Sequence, residues 1–502
     1  MTARVLIPSL LLLLACSAGR GPGGATGQPP PASTAPAGED PASSGDDSGT
    51  SSPAQEGSEA NGGDGAAGSD ASSDSPGSTP TAAVPLLACD DNPASVYLTP
   101  AGLVPMSMAQ RGAVVACGRD ASYSATDVTA KLAAKSVVGV VPSSGTTFYR
   151  IAYRTYRDDG VEGLSSARVY LPSTPRSLPL PVVAVAHPTQ GLAPSCAPSM
   201  NPTDLDDLAL PWAAHGFAVI ATDYAGLGTA GTQGYTDNHD QAHSLLDSAR
   251  ALRAMLDPRV LDDRVLLVGY SQGGGAVLAS QGLAASYGAG GSVVAAVVFA
   301  AESYAGDDSF GYATMLGEPG ALTISTGISE PVVAAMRDYA FAYNVLGAPS
   351  AAATFPSSEQ AGMQNAMSTL CQTPFGGYLQ GAAVHVGDLF DDSFRTSLIA
   401  CEAGTAGCDG LASQFHAWAQ ADRVAPDPAG ATVLYVQGLT DSIMPPAQEA
   451  ACNIDALTGA GVDVQVCVDG PAEHTTVVPR NVATALAWSE AKLAGAPPPA
   501  CA

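Results

Sequence analysis

The sequence predicts an α/β fold with a mostly parallel sheet and an inserted helical cap, and three observations support that prediction. From residue 86 onward, short β-rich runs alternate with helical stretches. Several runs are unbroken and apolar, such as those at 182–186 and 265–268, which is typical of strands covered by helices on both faces. The alternation stops between about residues 302 and 428, a segment too long for a loop. We expect that segment to form the cap.

The alternating pattern predicts eight strands and five helices in a sheet domain that spans residues 86–502. The strands are expected at 147–156, 167–171, 182–187, 218–223, 265–270, 293–299, 433–437 and 464–468. The helices are expected at 205–214, 239–256, 274–287, 446–460 and 480–494. Inside the cap, apolar spacing indicates helices at 331–345 and 360–370.

The first 85 residues are expected to lie outside the folded domain. Residues 1–16 hold one Arg and the apolar run Val5–Leu14, which is too short to span a bilayer and is typical of a signal peptide. The run ends in Leu-Leu-Ala-Cys, which resembles a bacterial lipobox and makes Cys16 a candidate for lipidation and membrane anchoring. The alternative is cleavage after Ser17 or Ala18, which gives a freely secreted protein. Residues 17–85 are rich in Gly, Ser, Pro, Ala and Asp, so we expect a disordered tether.

The charge of the chain restricts its partners. The formal net charge is −27, which argues against nucleic acid, anionic lipid surfaces or polyanionic substrates. A neutral or cationic substrate fits this charge, and so does a plain requirement for solubility in an exported protein.

The ten cysteines of an exported chain indicate disulfides. Without Cys16, nine remain, so an odd thiol or an unusual pairing is expected. Spacing suggests the pairs Cys89–Cys117, Cys401–Cys408 and Cys452–Cys467, although it does not fix the connectivity. No Cys/His cluster has the spacing of a zinc site, and no structural metal is expected.

A candidate nucleophile lies at the centre of Gly-Tyr-Ser-Gln-Gly, at Ser271. The pentapeptide itself carries little weight in a chain with 55 glycines. Its context carries more, because an apolar strand runs directly into it and a helix of small residues follows. That strand–turn–helix arrangement is a nucleophile elbow, which projects the Ser hydroxyl above the sheet at a helix N-terminus.

A serine hydroxyl is a weak nucleophile and needs a base and an acid behind it. Among the seven histidines, His474 alone follows the last predicted strand and precedes the final helix. Asp441 follows the penultimate strand, where it could orient the imidazole or merely cap a turn before the next helix. The chain order of Ser271, Asp441 and His474 is that of the α/β-hydrolase fold.

The oxyanion of a tetrahedral intermediate needs two hydrogen-bond donors. One is expected to be the backbone N–H of Gln272, the residue after the nucleophile. The other is expected in the loop after the third strand, His-Pro-Thr-Gln-Gly at 187–191. Because Pro188 has no N–H, Thr189 is favoured as the donor, with Gln190 as the alternative.

At these residues the chain resembles the secretory lipase family of α/β-hydrolases. The resemblance covers about residues 90–495 and rests on the order of five short blocks, which lie at 187–199, 221–229, 269–274, 438–446 and 473–474. It implies hydrolysis of small-molecule or lipid carboxylic esters beneath a helical cap, without a cofactor.

Two other functions remain open at this point. A serine peptidase of the prolyl-oligopeptidase kind shares the fold and the triad, but the chain lacks the β-propeller of those enzymes. The third possibility is a catalytically silent hydrolase fold that is displayed on a surface for binding.

Overall fold

The computed structural model describes residues 83–98, 105–158, 160–201, 203–302, 330–383 and 385–501. The predicted signal peptide, Cys16 and nearly all of the predicted tether lie outside the described residues. At the start of the described chain, Ala83 is buried in the core. The Leu86 N–H donates to the Met255 carbonyl, so this first segment packs on the folded domain.

Within the described residues, nine strands form one sheet in the order β1-β2-β3-β5-β4-β6-β7-β8-β9. Strands β1, β2, β3 and β5 pair antiparallel in that order, and the strands from β5 through β4 to β9 pair in parallel. The strands are β1 Val114–Tyr123, β2 Thr146–Tyr156, β3 Glu162–Pro172, β4 Leu180–Ala186, β5 Ala218–Ala225, β6 Leu261–Tyr270, β7 Ser292–Phe299, β8 Thr432–Gly438 and β9 Val464–Asp469. The prediction of a mostly parallel α/β sheet is confirmed.

Two layers of helices cover this sheet, one on each face. The helices outside the cap are α1 Ala125–Ala134, α2 Leu210–Ala214, α3 Asn238–Met255, α4 Gln272–Tyr287, α10 Ala451–Ala460 and α11 Val477–Leu493. Strand β6 shows how the faces divide: Val265 and Leu267 pack with α3, α4 and α10, whereas Leu266 and Val268 pack with α1, α2 and α11. Successive side chains of a strand point to opposite faces, and apolar residues at every position therefore satisfy both cores.

The first strand and two helices outside the cap differ from the sequence prediction, and one of these helices, α1, was not predicted at all. Strand β1 was not predicted, because its Cys-Gly-Arg-Asp-Ala-Ser stretch is polar, which a strand at the edge of the sheet tolerates. The helix expected at 205–214 is regular only over Leu210–Ala214. Pro211 lies in its first turn, where its missing N–H costs nothing but also prevents the helix from extending backward.

The described part of the predicted cap is helical. It holds α5 Glu330–Leu346, α6 Gln360–Thr369, α7 Gln372–Ala382, α8 Asp392–Glu402 and α9 Gly410–Ala421. These helices share an apolar core of their own, to which each contributes: Met336, Met363, Leu379, Leu398 and Phe415. Leu192 and Tyr235 of the sheet domain belong to the same cluster. The cap is therefore packed directly on the loops that follow β4 and β5.

Four disulfides lie in the described residues: Cys89–Cys117, Cys196–Cys371, Cys401–Cys408 and Cys467–Cys501. The first and third were predicted. The predicted Cys452–Cys467 pair is wrong, because Cys467 on β9 lies beside the C-terminal segment and bonds Cys501 there. None of these eight cysteines supplies the odd thiol that the sequence left open beside an unusual pairing. Among the described helices, none has the length and hydropathy to cross a membrane.

Candidate active site

The candidate nucleophile lies in the sharp turn between β6 and α4. Ser271 has φ +56° and ψ −120°, a left-handed conformation that costs a residue with a Cβ about 1–3 kcal/mol. The neighbouring glycines make the turn possible. A Cβ on Gly269 would lie 2.0 Å from the Gly273 carbonyl oxygen, and one on Gly273 would lie 2.1 Å from the Ala186 carbonyl oxygen. The turn therefore has the strained geometry of a nucleophile elbow.

Three side chains that the sequence singled out form one hydrogen-bond network. The Ser271 Oγ lies 2.9 Å from His474 Nε2, and His474 Nδ1 lies 2.8 Å from Asp441 Oδ2. An ionised carboxylate only accepts hydrogen bonds, so Nδ1 carries the imidazole proton and Nε2 accepts from the serine hydroxyl. All three residues are buried, with between 2% and 5% of their surface exposed.

The carboxyl ends of parallel strands bring these residues to one edge of the sheet. Ser271 follows β6, Asp441 follows β8 and His474 follows β9. Further contacts hold the loops in place. The Tyr270 hydroxyl donates to the His474 carbonyl over 2.8 Å.

Asp441 is fixed by the turn that contains it. Its Oδ1 accepts the backbone N–H groups of Ile443 at 2.9 Å and Met444 at 2.8 Å. Asp441 therefore caps its own turn through Oδ1. Its Oδ2 has different partners, His474 Nδ1 and the Gln437 amide.

The predicted oxyanion donors lie on two elements that flank Ser271. Gln272 opens α4, and the first N–H groups of a helix have no acceptor within the helix. Thr189 and Gln190 lie in the loop after β4, which pairs with β6 so that Ala186 is opposite Gly269. The Thr189 hydroxyl is 2.8 Å from the Tyr235 hydroxyl, and the Gln190 carbonyl accepts the Gln372 N–H from α7 at 2.8 Å.

His187 lies at the start of this loop and is fully buried. Burial lowers its pKa to about 4, so that its imidazole is neutral at ordinary pH. Its ring nitrogens face the carbonyl oxygens of Pro188 and Asp223. Both ring nitrogens of this histidine are therefore occupied by backbone carbonyls, one of the loop and one of β5. Among the described residues, no cluster of His, Cys, Asp or Glu is arranged to hold a metal ion.

Sequence reasoning did not single out Glu302, which lies next to the nucleophile turn. It follows β7, and its N–H donates to the Ser271 carbonyl at 3.0 Å. Burial raises the pKa of its carboxyl to about 7, and the charge of Arg337 on α5 acts in the opposite direction. Only the end of an apolar strand beside the elbow marks this position in the sequence. Many strands end in a charged residue that is exposed, so the pattern alone is weak.

We expect Glu302→Gln to stabilise the protein at alkaline pH. Because the folded pKa lies above the ordinary value of 4.5, the folded state binds the extra proton, and stability from this group falls as pH rises from about 4.5 to 7. The variant removes this loss, with an upper limit of about 3 kcal/mol near pH 8 and little change near pH 4. Melting temperatures of both proteins across that range measure it.

The buried carboxyls of Asp223 and Asp247 also have pKa values raised to about 6 by burial. As pH rises, these two groups lower the stability of wild type and variant by the same amount. The difference in stability between the two proteins therefore reports on Glu302 alone. Glu490→Gln, at a partly exposed ion pair with Arg176, serves as the control and should change the profile little. A constant difference between Glu302→Gln and wild type at all pH values would contradict the assignment.

Sheet order, nucleophile turn and cap together define an α/β-hydrolase fold. The resemblance to the secretory lipase family is confirmed over one part of the chain, where the family model for secretory lipases matches residues 202–303. This segment runs from before α2 to just past β7 and includes the nucleophile turn. A comparison with curated proteins finds no match.

Solved lipase and esterase structures share the fold. LipA from Xanthomonas oryzae, a rice cell wall degrading esterase, is 20% identical with a TM-score of 0.56, over 76% of this chain and 97% of that chain. Lipase A from Candida antarctica is 18% identical with a TM-score of 0.56, over 82% and 87%. A putative hydrolase from Legionella pneumophila is 18% identical with a TM-score of 0.55, over 74% and 96%. At these identities the likeness establishes the fold.

Proposed function

We propose that the protein is an exported serine hydrolase that cleaves carboxylic esters through Ser271, His474 and Asp441. The observation that carries the proposal is the hydrogen-bond network that runs from Asp441 Oδ2 through the imidazole to the Ser271 hydroxyl. A hydroxyl, a base and an orienting acid within hydrogen-bond distance constitute an activated nucleophile. The secretory lipase match and the lipase and esterase folds support the ester as the substrate class.

The reaction proceeds in two halves. His474 Nε2 takes the proton of Ser271 as Oγ attacks the ester carbonyl, and Asp441 stabilises the imidazolium that forms. The imidazolium then protonates the leaving alkoxide oxygen as the C–O bond breaks, which leaves an acyl-serine. Water, deprotonated by the same nitrogen, attacks the acyl-serine and releases the carboxylic acid. The Ser271 oxygen recovers its proton, and no cofactor takes part.

The oxyanion formed in each half is held by backbone donors. The Gln272 N–H, at the start of α4, has the helix dipole behind it. The second donor comes from the loop at 187–191, where we assign Thr189, with Gln190 as the neighbouring alternative. The contacts of this loop with Tyr235 and Gln372 support a fixed position for it.

The test of the function is hydrolysis of p-nitrophenyl esters from acetate to palmitate by the purified protein. We expect turnover of esters, with the chain-length profile separating a lipase from a short-chain esterase. Cleavage of dipeptide amides instead of esters would favour the peptidase of prolyl-oligopeptidase type. Failure to react with a fluorophosphonate probe would favour the silent surface protein. A probe adduct that mass spectrometry assigns to a residue other than Ser271 would overturn the proposed nucleophile.

We also propose that Cys16 carries the protein on a bacterial membrane or cell surface through a lipid. The apolar run before this Cys supports the proposal. Disulfides in the described domain are typical of an exported protein. Cells grown with a radioactive fatty acid are expected to label the wild type and not Cys16→Ser, which should appear in the medium. Equal labelling of both proteins would exclude Cys16 as the anchor.

A further inference from the structure

Three buried glutamines connect the two sides of the proposed oxyanion site, and we call them the glutamine chain: Gln233, Gln241 and Gln272. Gln272 Nε2 donates to Gln241 Oε1 over 2.6 Å and to Gln233 Oε1 over 3.3 Å. Gln233 Nε2 in turn donates to the Gly191 carbonyl over 2.8 Å. The chain thus runs from the residue after the nucleophile to the end of the loop at 187–191.

The three amides are shielded from water. Gln233, Gln241 and Gln272 each have 2% or less of their surface exposed. They come from three separate parts of the fold: the segment after β5, helix α3 and helix α4. Each buried amide that loses a hydrogen-bond partner lowers the stability of the fold by about 1–3 kcal/mol. The three amides therefore resist being moved apart.

The end of the glutamine chain at Gly191 lies where the loop at 187–191 meets the cap. Gly191 has φ +121°, and a Cβ there would lie 2.9 Å from Cys371 Cα. It forms an isolated bridge with Cys371, whose sulfur bonds Cys196. The loop is therefore held from the cap side by backbone and disulfide, and from the nucleophile side by the Gln233 amide.

We propose that the glutamine chain positions the two oxyanion donors relative to each other. Gln272 supplies one donor, and the loop that ends at Gly191 supplies the other, so a donor on β6–α4 must be matched to one after β4. An oxyanion site requires both N–H groups at about 2.7–3.1 Å from one oxygen. Gln233 and Gln241 thus act as positioning residues, and this inference rests on the proposed esterase function.

A purely stabilising role makes a different prediction from a positioning role. Loss of stability lowers the amount of folded enzyme, whereas misplaced donors lower the rate of each folded molecule at its transition state. A positioning role therefore affects kcat with little change in KM, because ground-state binding does not use the oxyanion contacts. Loss of the positioning also weakens the binding of alkyl boronic acids, because their tetrahedral adduct with a serine mimics the intermediate.

The experiment compares Gln233→Met with Gln281→Met. Methionine keeps the length of the side chain and removes the amide. Gln281 is the matched control because it lies buried on the same helix α4, with its amide bonded to the backbone of Asp427. The concentration of active sites is fixed by the end point of a p-nitrophenyl phosphonate titration. Melting temperature is measured alongside.

We expect Gln233→Met to lower kcat per active site by about 10- to 100-fold with KM nearly unchanged. The inhibition constant of the boronic acid should rise in parallel. Gln281→Met should lose stability and keep kcat per site. Equal kcat per site in both variants would overturn the inference.

Two further comparisons keep the result interpretable. If Gln233→Met does not fold, Gln241→Met replaces it as the test. Gln241→Met removes only one acceptor of Gln272, so we expect a smaller fall in kcat. Gln241→Glu keeps an acceptor oxygen and should restore kcat. No fall in Gln241→Met would then count against the chain. Full activity in Ser271→Ala, or no ester hydrolysis by the wild type, would instead refute the proposed function itself.

Discussion

Replacing Ser271 with alanine is expected to lower ester hydrolysis by about ten-thousand-fold or more, with the fold intact. The Ser271 hydroxyl is the group of the proposed network that forms the acyl-enzyme. Ala keeps the Cβ that the turn already accommodates, so the turn itself should not change. Backbone donors and the pocket remain, so a small residual rate over water persists. Initial rates with a p-nitrophenyl ester, normalised to folded protein by circular dichroism, measure the effect.

Ser280→Ala is the matched control for this substitution. Ser280 is a buried serine of α4, the helix that follows Ser271, and its hydroxyl has no hydrogen-bond partner in the described part of the chain. We therefore expect near wild-type rates and a similar melting temperature. If Ser271→Ala kept a rate comparable to that of Ser280→Ala, the nucleophile would have to lie elsewhere.

Most of the sheet could be predicted from the sequence because its strands are buried on both faces. Val265–Val268 must be apolar at every position, and such runs leave little doubt about a central strand. Strand β1 could not be found in this way, since it lies at the edge of the sheet, where most of its residues are only half-buried and Arg119 and Asp120 are tolerated. The central part of this fold is thus more legible in sequence than its edge.

The candidate site was partly predictable for a related reason. Ser271, Asp441 and His474 each follow a recognisable strand, and the parallel order of those strands brings their ends to one edge. The glutamine chain has no such marker. Gln233 and Gln241 contact Gln272 only through the folding of separate segments, and nothing in their local sequence distinguishes them from other glutamines.

The two disulfides that could be predicted, Cys89–Cys117 and Cys401–Cys408, each join consecutive cysteines of the chain. Cys401 and Cys408 lie at the end of α8 and in the loop after it, so short spacing was sufficient. Cys196 and Cys371 belong to the segment after β4 and to the cap, which are brought together only by the packing of the cap. Cys467 had two neighbours at plausible spacing, and the position of the C-terminal segment decided between them.

Asp441→Asn is expected to lower kcat by about ten-thousand-fold while the fold and substrate binding persist. Asp441 Oδ1 accepts the N–H groups of Ile443 and Met444, so the amide oxygen of the variant must occupy that position. Its NH₂ group then takes the place of Oδ2 and faces His474 Nδ1. Nδ1 becomes the acceptor, Nε2 carries the proton, and the imidazole can no longer take the proton of Ser271.

The control for this argument is Asp391→Asn at the start of α8. Asp391 Oδ1 also accepts two backbone N–H groups, those of Ser393 and Phe394, so the substitution makes the same change to a capping turn away from the histidine. We expect its kcat to match the wild type. Steady-state kinetics over a range of pH separate the two, because the tautomer effect in Asp441→Asn lowers kcat and leaves KM nearly unchanged. Comparable losses in both variants would mean that Asp441 acts through its turn and not through the imidazole.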